Sequence, residues 1–429
     1  MLNDKITKAY EEILIEELQL AMGCTEPIAI AYGASILRDV LQGFPTSIVV
    51  KLSGNIIKNV KSVIVPSTGG LHGIETAVCA GIVAGQPQKR LEVLSVLTKY
   101  DQQTIANYLN TCNLVVEELN TPCTFDLYLE ATLGNDVACV RISEDHTNVV
   151  YVKLNGEDCS QKYLNSGAIA TANQIADRSL LTVEDIVTFA DTANLDRIKP
   201  YLLRQIELNM AIANEGLSNY YGAAIGQLLY KDGKADLTGK AKAFAAAGSD
   251  ARMSGCELPV CIISGSGNQG ITTCVPVVVF ANEMGVDQDK LLRALVVADL
   301  VTIHQKTGIG CLSAYCGAIS AGCGCGAGIC YLQGGSYQDV AHTVVNAVAI
   351  LSGTICDGAK PSCAAKIAMA VEAGIMGCEM AQTKRQFFDG DGIVTKGVEN
   401  TIKNVGLLAR EGMSETDKKI ISIMLGKED

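Results

Sequence analysis

Between Lys306 and Asp339 the chain carries no formal charge, and nine of the residues there are glycine. A run this uncharged has to be kept from water. It has Ser, Thr and Gln and lacks the Leu, Ile and Phe density of a lipid-facing helix, so it reads as a helix and loops buried in protein rather than a membrane span. On a helix over 312–331, Gly317, Ala321, Gly324 and Gly328 share one stripe, where small side chains let another backbone approach closely. The spacing predicts a tightly packed helical body around this segment.

Cysteine is the second constraint. There are 17 in 429 residues, against four His and no Trp, and Cys311, Cys316, Cys323, Cys325, Cys330, Cys356, Cys363 and Cys378 fall close together. Thiolates hold soft metals and iron–sulfur clusters. Cys323, Cys325 and Cys330 read as small hydrophobes in a helix contact, because free Cys buries readily. The segment Gly353–Cys363 reads as a loop punctuated by Gly358 and Pro361 and bracketed by Cys356 and Cys363. Such a loop can bring several sulfurs to one small cube. Cys316 precedes Cys356 by enough chain for two helices and a return. Three thiolates on a cubane leave one iron open as a Lewis acid; zinc, with four ligands or three plus water, is the alternative.

Composition narrows the setting. The N-terminus is an amphipathic acidic helix and not a basic cap before an apolar run, so a cytoplasmic location with reduced thiols is expected, in an anaerobic or strongly reducing host. The net charge of −12 with no basic run argues against binding nucleic acid or an anionic membrane.

The fold class expected is α+β: a small mixed α/β domain beside a larger, mostly helical one. Residues 1–45 hold two helices, 4–22 and about 27–41, expected to pack on the helical domain, with Gly23-Cys24-Thr25-Glu26-Pro27 breaking between them. Residues 46–160 are the mixed domain, where SIVVKL, SVIVP, NLVVEEL, FDLYLEATL, VACVRI and VVYVKLNG have strand texture around helices at about 71–84 and 101–110. Residues 161–429 form the helical domain carrying the cysteines, with helices at 163–178, 182–191, 197–231, 238–247, 287–304, 312–331, 338–353, 360–384 and 396–409.

Two Gly-rich turns echo each other: Gly69-Gly70-Leu71-His72-Gly73 and Gly267-Asn268-Gln269-Gly270, each opening an apolar helix whose N-terminus can bind a carboxylate. The second lies in a G-x-G-x-x-G match from Gly265, but Pro276 and a following helical run argue against a dinucleotide fold and for an anion-binding or close-packing turn. Cys24, at a helix N-terminus, is expected to have a depressed pKa and thiolate character.

In order along the chain, GCTEPIAIA, GNIIKNV, VPSTGG, HQKTGIGCLSAYCGAISAG and ICDGAKPSCAAK resemble the blocks of the L-cysteine desulfidase family, which belongs with the α-chain of iron–sulfur L-serine dehydratases. The resemblance covers nearly the whole chain. It implies a 4Fe–4S cluster in place of pyridoxal phosphate, bound by Cys316, Cys356 and Cys363, with Cys24 at or near the site. The loop between Cys356 and Cys363 is shorter than in the serine dehydratases, which favours the desulfidase branch. The activity so implied is that of a carbon–sulfur lyase, β-eliminating L-cysteine to sulfide, pyruvate and ammonia. An L-serine or threonine dehydratase of the same mechanism is the alternative, and a non-enzymatic cluster or metal sensor a second.

For the carboxylate of a small amino-acid substrate, the candidate donors are Ser67, Thr68, Gly69 and Gly70 with Ser266, Gly267 and Asn268, and Asn55 in addition. Cys24 leads as catalytic base, before His72 and His304. A homodimer is the expected assembly.

Overall fold

A computed structural model describes residues 2–164, 176–310 and 312–426. The helix expected over 163–178 falls mostly outside these, and Cys311 does too. The N-terminal part runs α1 (Asp4–Glu17), β1 (Leu20–Met22), α2 (Thr25–Leu41), β2 (Ser47–Leu52), α3 (Gly54–Val60), α4 (Ile74–Ala84), α5 (Lys99–Thr111), β3 (Asn113–Glu118), β4 (Asp126–Leu133), β5 (Asp136–Ser143), β6 (Val149–Leu154) and β7 (Glu157–Asp158). The remainder runs α6 (Val183–Thr192), α7 (Lys199–Ser218), α8 (Ile225–Tyr230), α9 (Leu237–Met253), β8 (Pro259–Cys261), α10 (Gly267–Met284), α11 (Gln288–Ile309), α12 (Gly317–Leu332), α13 (Tyr337–Leu351), α14 (Cys363–Gln382), α15 (Val398–Leu407) and α16 (Ser414–Leu425). This is the α+β fold the sequence calls for.

The larger sheet has the order β3-β2-β4-β5-β6-β7, with β2 and β3 parallel and the other pairs antiparallel. Along β2 the buried residues alternate, Ile48, Val50 and Leu52, as a half-covered sheet requires. SVIVP makes no strand: only an isolated bridge joins Ile64 to His72. Its β-branched residues turn back within one tight loop, with Val65 N–H bonded to the Leu71 carbonyl, and so never line up beside a neighbouring strand.

Among the described residues two large hydrophobic cores result, beside a small cluster of Ala246, Ala364 and Ala368. One gathers the inner face of the sheet with α2, α4 and residues of α3; the other gathers α1 and the helices after residue 176. The N-terminal helices thus part company. α1 packs on the helical body, but α2 covers the sheet, contrary to the expected packing. The physical reason is that α2 is buried almost all round, from Thr25 to Leu37; a helix of that kind needs cover on more than one side.

In the helical body α12 is central. Its Gly324 and Gly328 face α11, where a Cβ would lie 2.5 Å from the Ala298 carbonyl oxygen and 2.8 Å from that of Ala294. Gly322 and Gly326 face α14 just as closely, against the carbonyls of Ala370 and Gly374. The stripe read from sequence therefore seats α11, and a second stripe seats α14. Gly374→Ala would put a methyl 2.1 Å from the Gly322 carbonyl oxygen. It is expected to cost about 3 kcal/mol by overpacking; a melting temperature within a degree of wild type would contradict this packing.

Three thiols of α10 and α12 are inert core. Cys274, Cys323 and Cys325 are buried, and burial pushes their thiols up, that of Cys323 to about 12. In the unfolded chain such thiols ionise near pH ~8.5. Their stabilisation is therefore complete below that pH and is lost as pH rises toward 12. Unfolding free energy under reducing conditions is expected to fall above pH ~8.5 by about 1.4 kcal/mol per pH unit for each such thiol, which denaturant titrations at pH 8 and pH 10 check.

Candidate functional site

Four helix N-termini meet at one cavity of about 110 Å³. Cys24 precedes α2, Ser266 precedes α10, Cys316 precedes α12, and Cys363 opens α14. None of these helices has a backbone N–H of its first turn capped by its N-cap side chain, and each aims its positive dipole end at the cavity.

Local structure explains how the thiols arrive together. Tyr315 and Ile355 form an isolated antiparallel bridge, in which the Cys316 N–H bonds to the Thr354 carbonyl at 3.0 Å and the Cys356 N–H to the Ala314 carbonyl at 2.6 Å. Residues flanking such a bridge on both strands share a face, so Cys316 and Cys356 are diagonal neighbours. The loop then turns at Gly358 (φ 95°), where a Cβ would strike the Lys58 carbonyl oxygen at 2.3 Å. It returns Cys363 to the same cavity, with Sγ 3.7 Å from the Gly358 carbonyl oxygen. Asp357 is clamped by Lys360 and, at 2.6 Å, by Lys366. Burial raises its pKa, but hydrogen bonds from the two lysines outweigh that and hold the carboxyl down at about 2.

Burial, and then the charge of Cys356 and Cys363, pushes the Cys316 thiol up to about 12; the Cys363 thiol is raised too, mainly by burial. Three thiols gathered in a cavity ringed by helix N-termini make a donor set suited to a cationic centre, which binds them by displacing their protons. Among the described residues no three His, Cys, Asp or Glu side chains are drawn in around a single ion. A cube has no need of that, since each thiolate holds a different iron. The residues fit an iron–sulfur cluster.

Cys24 sits opposite. Gly23 (φ 65°) packs against Pro66, leaving no room for a side chain. The Cys24 thiol donates to Glu26 Oε2 at 3.0 Å, and Asn59 donates to Glu26 Oε1 at 2.9 Å. The Thr25 hydroxyl lies 2.9 Å from the Gly265 carbonyl oxygen, tying this corner to the turn before α10. The depressed thiol expected for Cys24 is not found. Burial, followed by the Glu26 charge, raises it well above the usual range against the opposing pull of Arg252. Helix-dipole stabilisation is overridden by desolvation, and Cys24 is a neutral thiol. Glu26 is itself held below the usual carboxylate range: burial raises it, but the His146 charge and the Cys24 hydrogen bond prevail.

Of the other sequence candidates, Ser266 and Asn268 line the cavity with Gly267 between them. Asn55 lines an adjoining cavity of about 780 Å³, whose wall shares Leu312 and Ser313 with the first. Ser67, Thr68, Gly69 and Gly70 are not among the lining residues. The Thr68 hydroxyl is engaged by the Val65 and Leu71 carbonyls, the Ser67 carbonyl accepts from Gln102, and Gly69 lies against Gln102. Of the two echoing turns only the second reaches the cavity. His72 is exposed, and His304 pairs with Glu399 at 2.6 Å; neither lines it.

The cavity adds Glu26, Asn59 and Gln269, which lie in quoted blocks without having been singled out, and His146 and Arg252, which lie in none. Asn59 lies one helical turn beyond Asn55 in GNIIKNV, so the block was legible and the register was not. His146 comes from the loop between β5 and β6, packs at a tilt of 56° against Phe125 with ring centroids 4.6 Å apart, and has a buried Nε2 without a partner. Arg252 Nε, Asn268 Oδ1 and Gln269 Oε1 are likewise buried and unpartnered. Buried polar atoms are nearly always bonded, so four such atoms around one cavity mark a place built for a ligand.

Comparison with known proteins gives the class of this chain. The model of the serine dehydratase alpha chain matches residues 88–422. A UPF0597 protein of Desulfitobacterium hafniense is 52% identical over 99% of this chain and 98% of its own, and one of Treponema denticola is 44% identical over 97% of each. A third, from Fusobacterium nucleatum, is 42% identical over 98% of this chain and 99% of its own. The chain belongs to the serine dehydratase alpha-chain family, among the UPF0597 proteins of that type. Its chemistry is accordingly that of an iron–sulfur lyase of the dehydratase kind. Among the described residues no helix is long and apolar enough to cross a membrane.

Proposed function

We propose that the protein carries out iron–sulfur-dependent β-elimination of L-cysteine, releasing sulfide and aminoacrylate, which hydrolyses to pyruvate and ammonia. The observation that carries this is the meeting of Cys316, Cys356 and Cys363 with Cys24 and unpartnered polar groups in one cavity. The three thiols would hold a 4Fe–4S cluster, which when bound supplies a Lewis-acidic iron that makes the thiol of the substrate a better leaving group.

The chain's own residues do the rest. Cys24, its thiol raised by burial, serves in this reading as a proton donor rather than as the base. Glu26 accepts its S–H and keeps it aimed from the α2 N-terminus. His146 lines the same cavity and its buried Nε2 has no partner, which makes it, in its neutral form, the candidate to take the α-proton, with Glu26 placed to stabilise the charge so gained. The surrounding buried core, Tyr315 and Ile367 included, restricts water at the reacting centre.

Purification without oxygen, followed by assays of sulfide, pyruvate and ammonia from L-cysteine beside L-serine, tests the reading. Turnover of cysteine in preference to serine supports it. Serine preferred would move the assignment to a dehydratase of the same mechanism, and no turnover of either would sink it.

A further inference from the structure

Arg252 ends helix α9, and it is 3% exposed. An arginine buried this deeply normally has a carboxylate partner, because an unpaired buried charge is costly. Among the described residues its guanidinium enters no hydrogen bond or ion pair, and Nε is buried with no partner. It lines the cavity and lies flat against the first residue of α10: a Cβ on Gly267 would stand 2.5 Å from Nε and 2.9 Å from Cζ. Glycine at 267 is thus the space the guanidinium occupies.

The nearby acid, Glu26, feels the Arg252 charge but makes no direct pair with it. Both Glu26 oxygens are taken, one by Cys24 and Thr25 and the other by Asn59, and no ion pair joins Glu26 to Arg252. Around Arg252 stand groups suited to the rest of a carboxylate's hydrogen bonds: the Ser266 hydroxyl, free of any capping bond, and the N-terminus of α10. Lys366, another cation of the cavity wall, is committed to Asp357 and the Ile355 carbonyl.

We infer that Arg252, with Ser266 and the α10 N-terminus, binds the α-carboxylate of the amino-acid substrate and makes the enzyme selective for carboxylate-bearing thiols. The inference rests on the elimination reading for the identity of the substrate. A planar fork matched to two carboxylate oxygens suits this place better than an ammonium would.

The test uses two probes that each carry a thiol. 3-Mercaptopropionate has the carboxylate and no amine; cysteamine has the amine and no carboxylate. Their binding to the anaerobically prepared protein is read by the shift in melting temperature, alongside iron content, KM and kcat for L-cysteine. Arg252→Gln is expected to weaken 3-mercaptopropionate about 100-fold, to raise KM for L-cysteine similarly, and to leave cysteamine binding and iron content unchanged. Arg252→Lys, which keeps the charge but loses the fork, is expected to weaken 3-mercaptopropionate about 10-fold and decides the matter if the Gln variant does not fold. Equal loss of both probes, or loss of iron with retained probe preference, would overturn the assignment. If wild type turns over neither cysteine nor serine but still prefers 3-mercaptopropionate through Arg252, the elimination reading fails and the carboxylate site stands.

Discussion

Cys356→Ala is expected to fold, to lose its iron, and to fall at least about a thousandfold in the release of sulfide from L-cysteine. A Lewis-acidic metal supplies several kcal/mol of transition-state stabilisation, and a cluster held by three thiolates does not survive with two. Folding is spared because Cys356 is half-buried in a loop and its backbone N–H, the group that fixes the bridge to Ala314, is untouched by the change. Cys323→Ala, in the core of α12, is the control: it should retain iron and activity while costing stability. If Cys356→Ala keeps iron and turnover, the three-thiol site is wrong. Similar losses in both variants would mean that the cysteines act only through packing.

His146→Asn is expected to lower kcat by about 10²–10⁴-fold, the usual worth of a general base, with iron content and the melting temperature near wild type. Asn keeps a polar group of similar size on the β5–β6 loop and cannot accept a proton. His304→Asn, which breaks only the pair with Glu399, should change kcat little. A His146→Asn enzyme within about threefold of wild type, or a His304→Asn enzyme as impaired, would remove His146 from the reaction.

Much of this was legible in the sequence because it depends on local chemistry. The glycine stripe of α12 and the thiols around CDGAKPSC announce themselves by residue type and spacing. The rest depends on what long-range contacts bring near. His146 lies on a hairpin loop and Arg252 ends an alanine-rich helix; neither has a motif, and only the meeting of the sheet with the helical body makes them neighbours of Cys24. A signal for Arg252 exists in Gly267: the turn is expected to bind an anion or to pack closely, and the missing side chain makes room for the guanidinium. The VPSTGG turn misled for the opposite reason. Its hydroxyls and glycines have the composition of an anion site, but Thr68 spends its hydroxyl within the turn. Cys24 shows a conflict of principles, with the helix dipole favouring a thiolate and burial beside Glu26 winning.

The central claim is that Cys316, Cys356 and Cys363 would hold a cluster here that would supply a Lewis-acidic iron for the thiol of the substrate. The most direct measurement is the ⁵⁷Fe Mössbauer spectrum of the reconstituted protein, recorded without oxygen before and after L-cysteine is added. The expected result is about four irons per chain, one of whose signals shifts on addition while the others stay. A spectrum without a cluster, or one in which L-cysteine moves no iron signal although sulfide is released, would contradict it.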